Sequence, residues 1–222
     1  MSRKAILTQN AKMKLTMEQH PEIILRAMSM PAGDTCPFRG ACADANGCFA
    51  LNGCQAWANT KRAYQENLDM YKEHSFFTKL DRELYELCLK AEKENKTVYI
   101  RLHDSGDFFS YRYLCDWLAF MTRYPDVHFY AYTKSIPYME SARKQGLIPD
   151  NFTYVYSCGG KRDDLIEPKI HRHAIIVESE QDIPEGYVNG SHDDFYASQP
   201  SVDKIAFVFH GQGKRFHTII PQ

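Results

Sequence analysis

The chain has 222 residues, 44% of them hydrophobic, enough for one compact unit with a buried core. A net charge of −1 removes any bulk electrostatic case for nucleic acid and leaves only local basic patches. No apolar run approaches the roughly 20 residues that span a bilayer, and Met1–Lys14 is basic without the apolar stretch of a leader, so the expected setting is cytoplasmic, with no membrane partner.

In chain order, Ile23–Met28 is a short apolar run that predicts a buried strand. A cysteine-rich loop follows, broken by Pro31, Gly33, Pro37, Gly40, Gly47 and Gly53. Residues 55–94 predict helix, split near His74-Ser75, with Ser75 as cap of the second piece. Phe77, Leu80, Leu84, Leu87 and Ala91 recur at three- and four-residue intervals and mark its core face. Strands are expected at 97–102, 128–133, 152–157, 174–178 and 205–209, with helices at 111–123 and 139–145 between them. Leu114, Leu118 and Met121 are the inward residues of the first of these helices. The 179–203 connection shows little helical pattern.

Strands alternating with crossovers predict an α/β fold with a mostly parallel six-stranded sheet, an open or partial (β/α) barrel, and a cysteine-rich loop after the first strand. A doubly wound sheet is the alternative. The whole of 1–222 is expected to form one α/β domain, with a metal-binding loop at 33–55.

In such folds ligands sit at the C-terminal ends of the strands. The polar residues cluster there: the cysteine loop, His103-Asp104-Ser105-Gly106-Asp107, Thr133-Lys134-Ser135, Ser157-Cys158-Gly159-Gly160, Glu178 and His210-Gly211. Cys36, Cys42, Cys48 and Cys54 are four of the chain's seven cysteines, with five residues between neighbours. In a reducing compartment such thiols act as ligands more readily than as disulfides. Soft thiolates select zinc, copper(I) or iron–sulfur clusters. Zinc knuckles pair cysteines across two-residue gaps, which this loop lacks, whereas wide glycine-rich gaps suit a larger object such as a cluster. Zinc and four unliganded thiols are the alternatives.

Cys88 and Cys115 fall in helical apolar patterns and read as small core residues. Cys158, before two glycines, reads as a supporting or reactive thiol or as an inert strand end. The His103–Ser110 segment holds two acids, a histidine and a glycine that permits close approach. It predicts a site for a cationic or hydroxyl-bearing group, with Ser105 or Asp107 as a possible cap of the next helix. His171 and His173 read as solvated loop residues, and Lys134 with Ser135 as an anion contact.

Met30-Pro31-Ala32-Gly33, Cys36-Pro37 with Cys42, Cys48-Phe49-Ala50, Arg101 with Ser105–Phe108, and Phe129–Ser135 together resemble a phage family known as gene product eighty-eight. That resemblance covers roughly residues 28–135 and implies phage origin and a host-cytoplasm setting, with no settled activity. A looser resemblance is to radical S-adenosylmethionine enzymes, which place three cysteines on a [4Fe–4S] cluster after the first strand of a partial barrel. Cys48-Phe49-Ala50 is similar to their Cys-aromatic-Ala ending, and Ser105-Gly106-Asp107 stands where a Gly-Gly-Glu-like motif holds the amino group of the cofactor. Their cysteine spacing is three then two residues; here it is five and five, and Cys54 is placed to close the cluster.

Three functions compete. In the first, Cys36, Cys42 and Cys48 hold [4Fe–4S], and Ser105, Gly106, Asp107, Thr133, Lys134 and Ser157 bind S-adenosylmethionine, for chemistry on a nucleotide, another small molecule or nucleic acid. In the second, Cys54 completes a closed cluster or zinc site in a non-catalytic binding protein for host takeover or counter-defence. In the third, His103, Asp104 and Asp107 form a metal-independent hydrolytic group. The sequence sets no oligomeric state.

Overall fold

The computed structural model describes residues 5–40, 48–52 and 57–209. Cys42, Cys54 and His210-Gly211, all singled out from the sequence, lie outside them. Seven strands form one sheet: β1 (Ile23–Met28), β2 (Thr97–Leu102), β3 (Val127–Thr133), β4 (Phe152–Ser157), β5 (His173–Val177), β6 (Val188–Asn189) and β7 (Lys204–Val208). Their order is β1-β2-β3-β4-β5-β7-β6 and every pairing is parallel. The first five strands follow one another without reversal, and the sheet curls into a half-barrel. A doubly wound sheet would reverse direction in mid-order, so the partial barrel is the correct alternative.

The helices are α1 (Ala11–Gln19), α2 (Phe49–Asn52), α3 (Ala58–Lys72), α4 (Phe76–Glu94), α5 (Tyr111–Met121) and α6 (Ile136–Lys144). Alternation along each strand sends side chains to two cores. On the convex side Met28, Ile100, Leu102, Phe129 and Ala131 pack against Leu80, Leu84, Leu114, Trp117 and Met139 of α4, α5 and α6. On the concave side Leu25, Ala27, Tyr130, Val155 and Ile205 pack against Met13 of α1 and Ala197 of a 3₁₀ turn at Tyr196–Ser198. The half-barrel is thus filled by an N-terminal helix and a late loop, where a closed barrel would be filled by its own remaining strands.

Several expectations are corrected. The sheet has seven strands, because the 179–203 connection contains β6, whose two residues are too few to show alternation. Helix α1 was not anticipated, although Asn10 caps it by accepting from the Met13 N–H (2.8 Å) and Met13 and Thr16 share a buried face. The chain does break at His74-Ser75, but Ser75 makes no side-chain cap; its hydroxyl donates to the Met70 carbonyl (3.3 Å). Helix α5 is capped by Ser110, which accepts from the Tyr113 N–H (3.1 Å), leaving Ser105 and Asp107 for other work. Helix α6 begins earlier than expected, at Ile136, with a proline in its first turn. His173 opens β5 and is fully buried; its Nε2 meets the Tyr187 hydroxyl at 2.6 Å, so it is no solvated loop residue.

Candidate functional site

Parallel pairing brings Met28, Leu102, Thr133 and Ser157 to one rim, and the loops that follow them meet there. The segment after β1 is fastened first to the loop after β2. The Asp104 N–H donates to the Met28 carbonyl (3.3 Å) and the Met30 N–H to the Ser105 carbonyl (2.9 Å). Gly106 has φ +83°, and a Cβ there would lie 2.6 Å from Thr35 Oγ1 and 2.8 Å from Met30 Cβ. Only glycine lets these two segments close on each other. Thr35 Oγ1 donates to the Pro31 carbonyl (2.6 Å), and Cys36 N–H to the Gly33 carbonyl (3.1 Å), so the start of the cysteine arm is a wound turn.

The arm then crosses to the loop after β4. Arg39 bridges Gly160 in antiparallel fashion, and the Lys161 N–H donates to the Phe38 carbonyl (3.0 Å). A Cβ on Gly40 would lie 2.5 Å from the Gly159 carbonyl oxygen. The Asp163 carboxylate accepts from the N–H groups of Gly159 (2.6 Å) and Gly160 (2.9 Å), which sets that loop. Cys36 and Cys48 are both half-buried.

Below the arm, Asp107 is buried and fully engaged. Its carboxylate accepts from the Phe108 N–H (2.7 Å), Thr133 Oγ1 (2.6 Å) and the Lys134 N–H (2.8 Å). Burial raises its pKa, and these three donors and the Lys134 charge oppose the rise. Asp107 therefore ties the β2 loop to the end of β3. Lys134 Nζ in turn donates to Ser157 Oγ (2.5 Å), linking β3 to β4. Four of the anticipated residues thus form one chain: Asp107, Thr133, Lys134 and Ser157. The Ser105 hydroxyl is shielded from solvent and has no partner among the described residues.

His103 and Asp104 point to opposite sides. His103 takes a left-handed backbone (φ +58°) and packs edge-on to Phe108, with Nε2 3.2 Å from the Tyr113 hydroxyl. Burial pushes its pKa down to about 3, so it is a neutral core residue. Asp104 instead faces Asn10 (3.1 Å) and Arg101 (3.3 Å). The His103, Asp104 and Asp107 side chains do not converge as a hydrolytic group would. Cys158 is buried, and burial pushes its thiol up to about 12, which disfavours the reactive thiolate.

One cluster went unnoticed in the sequence. On the concave side Arg101 donates to Asp194 Oδ1, Lys12 Nζ lies 3.5 Å from the same oxygen, and the Tyr130 hydroxyl donates to Asp194 Oδ2 (3.2 Å). Burial alone would lower the Arg101 pKa; Asp194 and Asp104 outweigh it and hold the guanidinium charged. Arg101 in an otherwise apolar strand was the available signal, since a buried cation needs an acid. Its partner, 93 positions on, carries no local signal.

The soft donor set suits a cluster or zinc. The rim suits S-adenosylmethionine only in part: Ser105 offers a hydroxyl without a partner among the described residues, but Asp107 is spent on the protein's own donors. Among the described residues no three His, Cys, Asp or Glu side chains form a metal-binding group, and no helix is long and apolar enough to cross a membrane.

No curated protein and no solved structure matches the chain. A family model described as Gene product 88 matches residues 4–215, which takes in the cysteine arm, the Ser-Gly-Asp turn, all seven strands and the Arg101–Asp194 pair. With nearly its whole length matched, the chain belongs to the phage family described as Gene product 88.

Proposed function

We propose that this is a phage-encoded iron–sulfur protein of the host cytoplasm, a radical S-adenosylmethionine-like enzyme acting on a nucleotide or nucleic acid. The observation that carries the reading is the fastening of the Cys36 arm to the Ser105-Gly106 turn on one side and to Gly159-Gly160 on the other, at the C-terminal rim of a parallel half-barrel. Cofactor sites of parallel α/β folds lie at that rim. In this reading Cys36, Cys42 and Cys48 hold a [4Fe–4S] cluster. S-adenosylmethionine bound there would supply a radical on reductive cleavage, and the protein's part is to bind, orient and shield it. Ser105 and Gly106 would contact the cofactor, while Lys134 and Ser157 order the neighbouring rim. Asp107 acts as a positioning residue that fixes the turn.

The engagement of Asp107 favours a second reading, in which Cys54 closes the cluster, or a zinc site, in a non-catalytic binding protein. The two separate on a Cys54→Ala variant purified without oxygen and titrated with S-adenosylmethionine. The enzyme reading expects retained iron and a cofactor-dependent change in the cluster's electron paramagnetic resonance signal. Loss of all metal from that variant supports the closed site instead.

A further inference from the structure

The first half of α3 has little of the core to hold. The buried residues of this helix are Asn67, Leu68 and Met70, all in its second half. Asn67 anchors it beside the rim, donating from Nδ2 to the Ser29 carbonyl just past the end of β1 (2.9 Å). From Trp57, immediately before α3, to Asn67 is about 15 Å of helix at a rise of about 1.5 Å per residue. That stretch projects from its anchor with no buried side chain before Asn67.

Trp57 is 70% exposed, although tryptophan is among the more buried residue types on average. Its indole makes no hydrogen bond and no ring contact among the described residues. The Lys61 N–H donates to the Trp57 carbonyl (2.9 Å), which sets Lys61 one turn along from Trp57, with Arg62 beside it. Both cations are exposed. Arg62 donates to Asn59 Oδ1 through Nη2 alone (3.1 Å), and neither Lys61 nor Arg62 makes an ion pair among the described residues. Residues 58–65 contain no acid. Glu66 and Asp69 stand a turn or more beyond Arg62, and Asp69 accepts from Gln65 there (2.8 Å). A solvated helix face has no need of an exposed indole beside two unpaired cations. Single strands of nucleic acid are held by this combination, because bases stack on aromatic rings and cations take the phosphates.

We propose that this segment docks single-stranded nucleic acid beside the rim, with a base stacked on Trp57 and the flanking phosphates on Lys61 and Arg62. The net charge of −1 leaves nucleic acid to local patches, and the start of α3 is such a patch. The inference rests on the function proposed above and narrows it: the substrate is an unpaired strand, where a free nucleotide was the other choice. A duplex is disfavoured, since its bases are already stacked on one another and cannot reach the indole.

The test is titration of the full chain, purified without oxygen, with an oligothymidylate of about twelve nucleotides, the same sequence as a duplex, thymidine monophosphate and polyglutamate. Trp57 and Trp117 are the chain's two tryptophans and Trp117 is fully buried, so quenching of tryptophan fluorescence reports on Trp57. The oligothymidylate should quench it and bind at least about tenfold more tightly than the other three. Trp57→Ala should weaken binding by about tenfold, and Trp57→Phe should recover most of that loss. Lys61→Ala and Arg62→Ala should each lower the slope of log affinity against log salt by about 0.7. All three side chains are exposed, so these variants keep the fold. Absence of quenching, equal binding of duplex or polyglutamate, wild-type affinity in Trp57→Ala, or an unchanged salt slope in both cation variants would each overturn the proposal. So would a Trp57→Ala variant that loses self-association while the wild-type chain binds no oligonucleotide, which would give this surface to a second copy of the chain. Iron assayed in the same samples separates the two readings. Oligonucleotide binding by a chain without iron upholds the docking segment and removes the enzyme; an iron-loaded chain that binds no oligonucleotide removes the docking segment alone.

Discussion

His103 is buried with its pKa depressed to about 3, against 6.5 in the unfolded chain. As pH falls through 6.5 the unfolded chain takes up a proton that the folded protein refuses, so stability is lost on acidification. The loss is about 2 kcal/mol between pH 7 and pH 5 for this group alone. Asp107 acts with the opposite sign. Its raised pKa favours the folded state at low pH, a contribution lost as pH rises from the carboxylate range through its folded value. A His103→Asn variant, able to keep the left-handed backbone, should show a flatter stability–pH curve over pH 5–7 in urea unfolding; an unchanged slope would remove His103 as the cause. Gly106 offers a second test. Its φ of +83° and the contact with Thr35 predict that Gly106→Ala costs more than Gly146→Ala, which has positive φ but open space around it. Strain alone costs about 1 kcal/mol, and the clash adds about 1–3 kcal/mol. Equal Tm shifts for the two variants would mean that the turn and the cysteine arm are not closely packed.

At the scale of elements, the rim strands were legible because strand identity is written locally. The apolar run Ile23–Met28 and the alternation of Thr97–Leu102 are each visible within six residues. Helix α1 and strand β6 were not, because tertiary contacts stabilise them. Helix α1 is anchored through Lys12 to Asp194 and through Asn10 to Asp104, and both acids belong to distant segments. The same distance hid the Arg101–Asp194 pair. The pair ties α1, β2 and the loop before Tyr196–Ser198 into the concave side. Asp194→Ala should strand the Arg101 charge in a buried setting and cost about 3–5 kcal/mol in chemical denaturation. Arg101→Met with Asp194→Leu should recover much of that loss, since a buried ion pair is worth little more than packed apolar groups. A single variant that unfolds at the wild-type denaturant concentration would show the pair to be solvated.

At the scale of the molecule, the half-barrel explains why polar residues far apart in the sequence lie side by side. Parallel strands deliver them to one rim, and three glycine contacts there let the cysteine arm lie flat across it: Gly106 on Thr35, Gly40 on Gly159, and Gly160 beside Phe38. The rim was readable in the sequence from residue types at strand ends. The roles within it were not, because hydrogen-bond partners decide them. Asp107 looked like a ligand group and is a fastener; His103 looked like a base and is a neutral core residue. An iron, sulfide and zinc assay on the full chain purified without oxygen tests most directly the proposal that the arm binds an iron–sulfur cluster. The expected result is a brown protein with about four irons and four sulfides per chain, the composition of one [4Fe–4S] cluster. Stoichiometric zinc with no iron, or no metal at all, would contradict it.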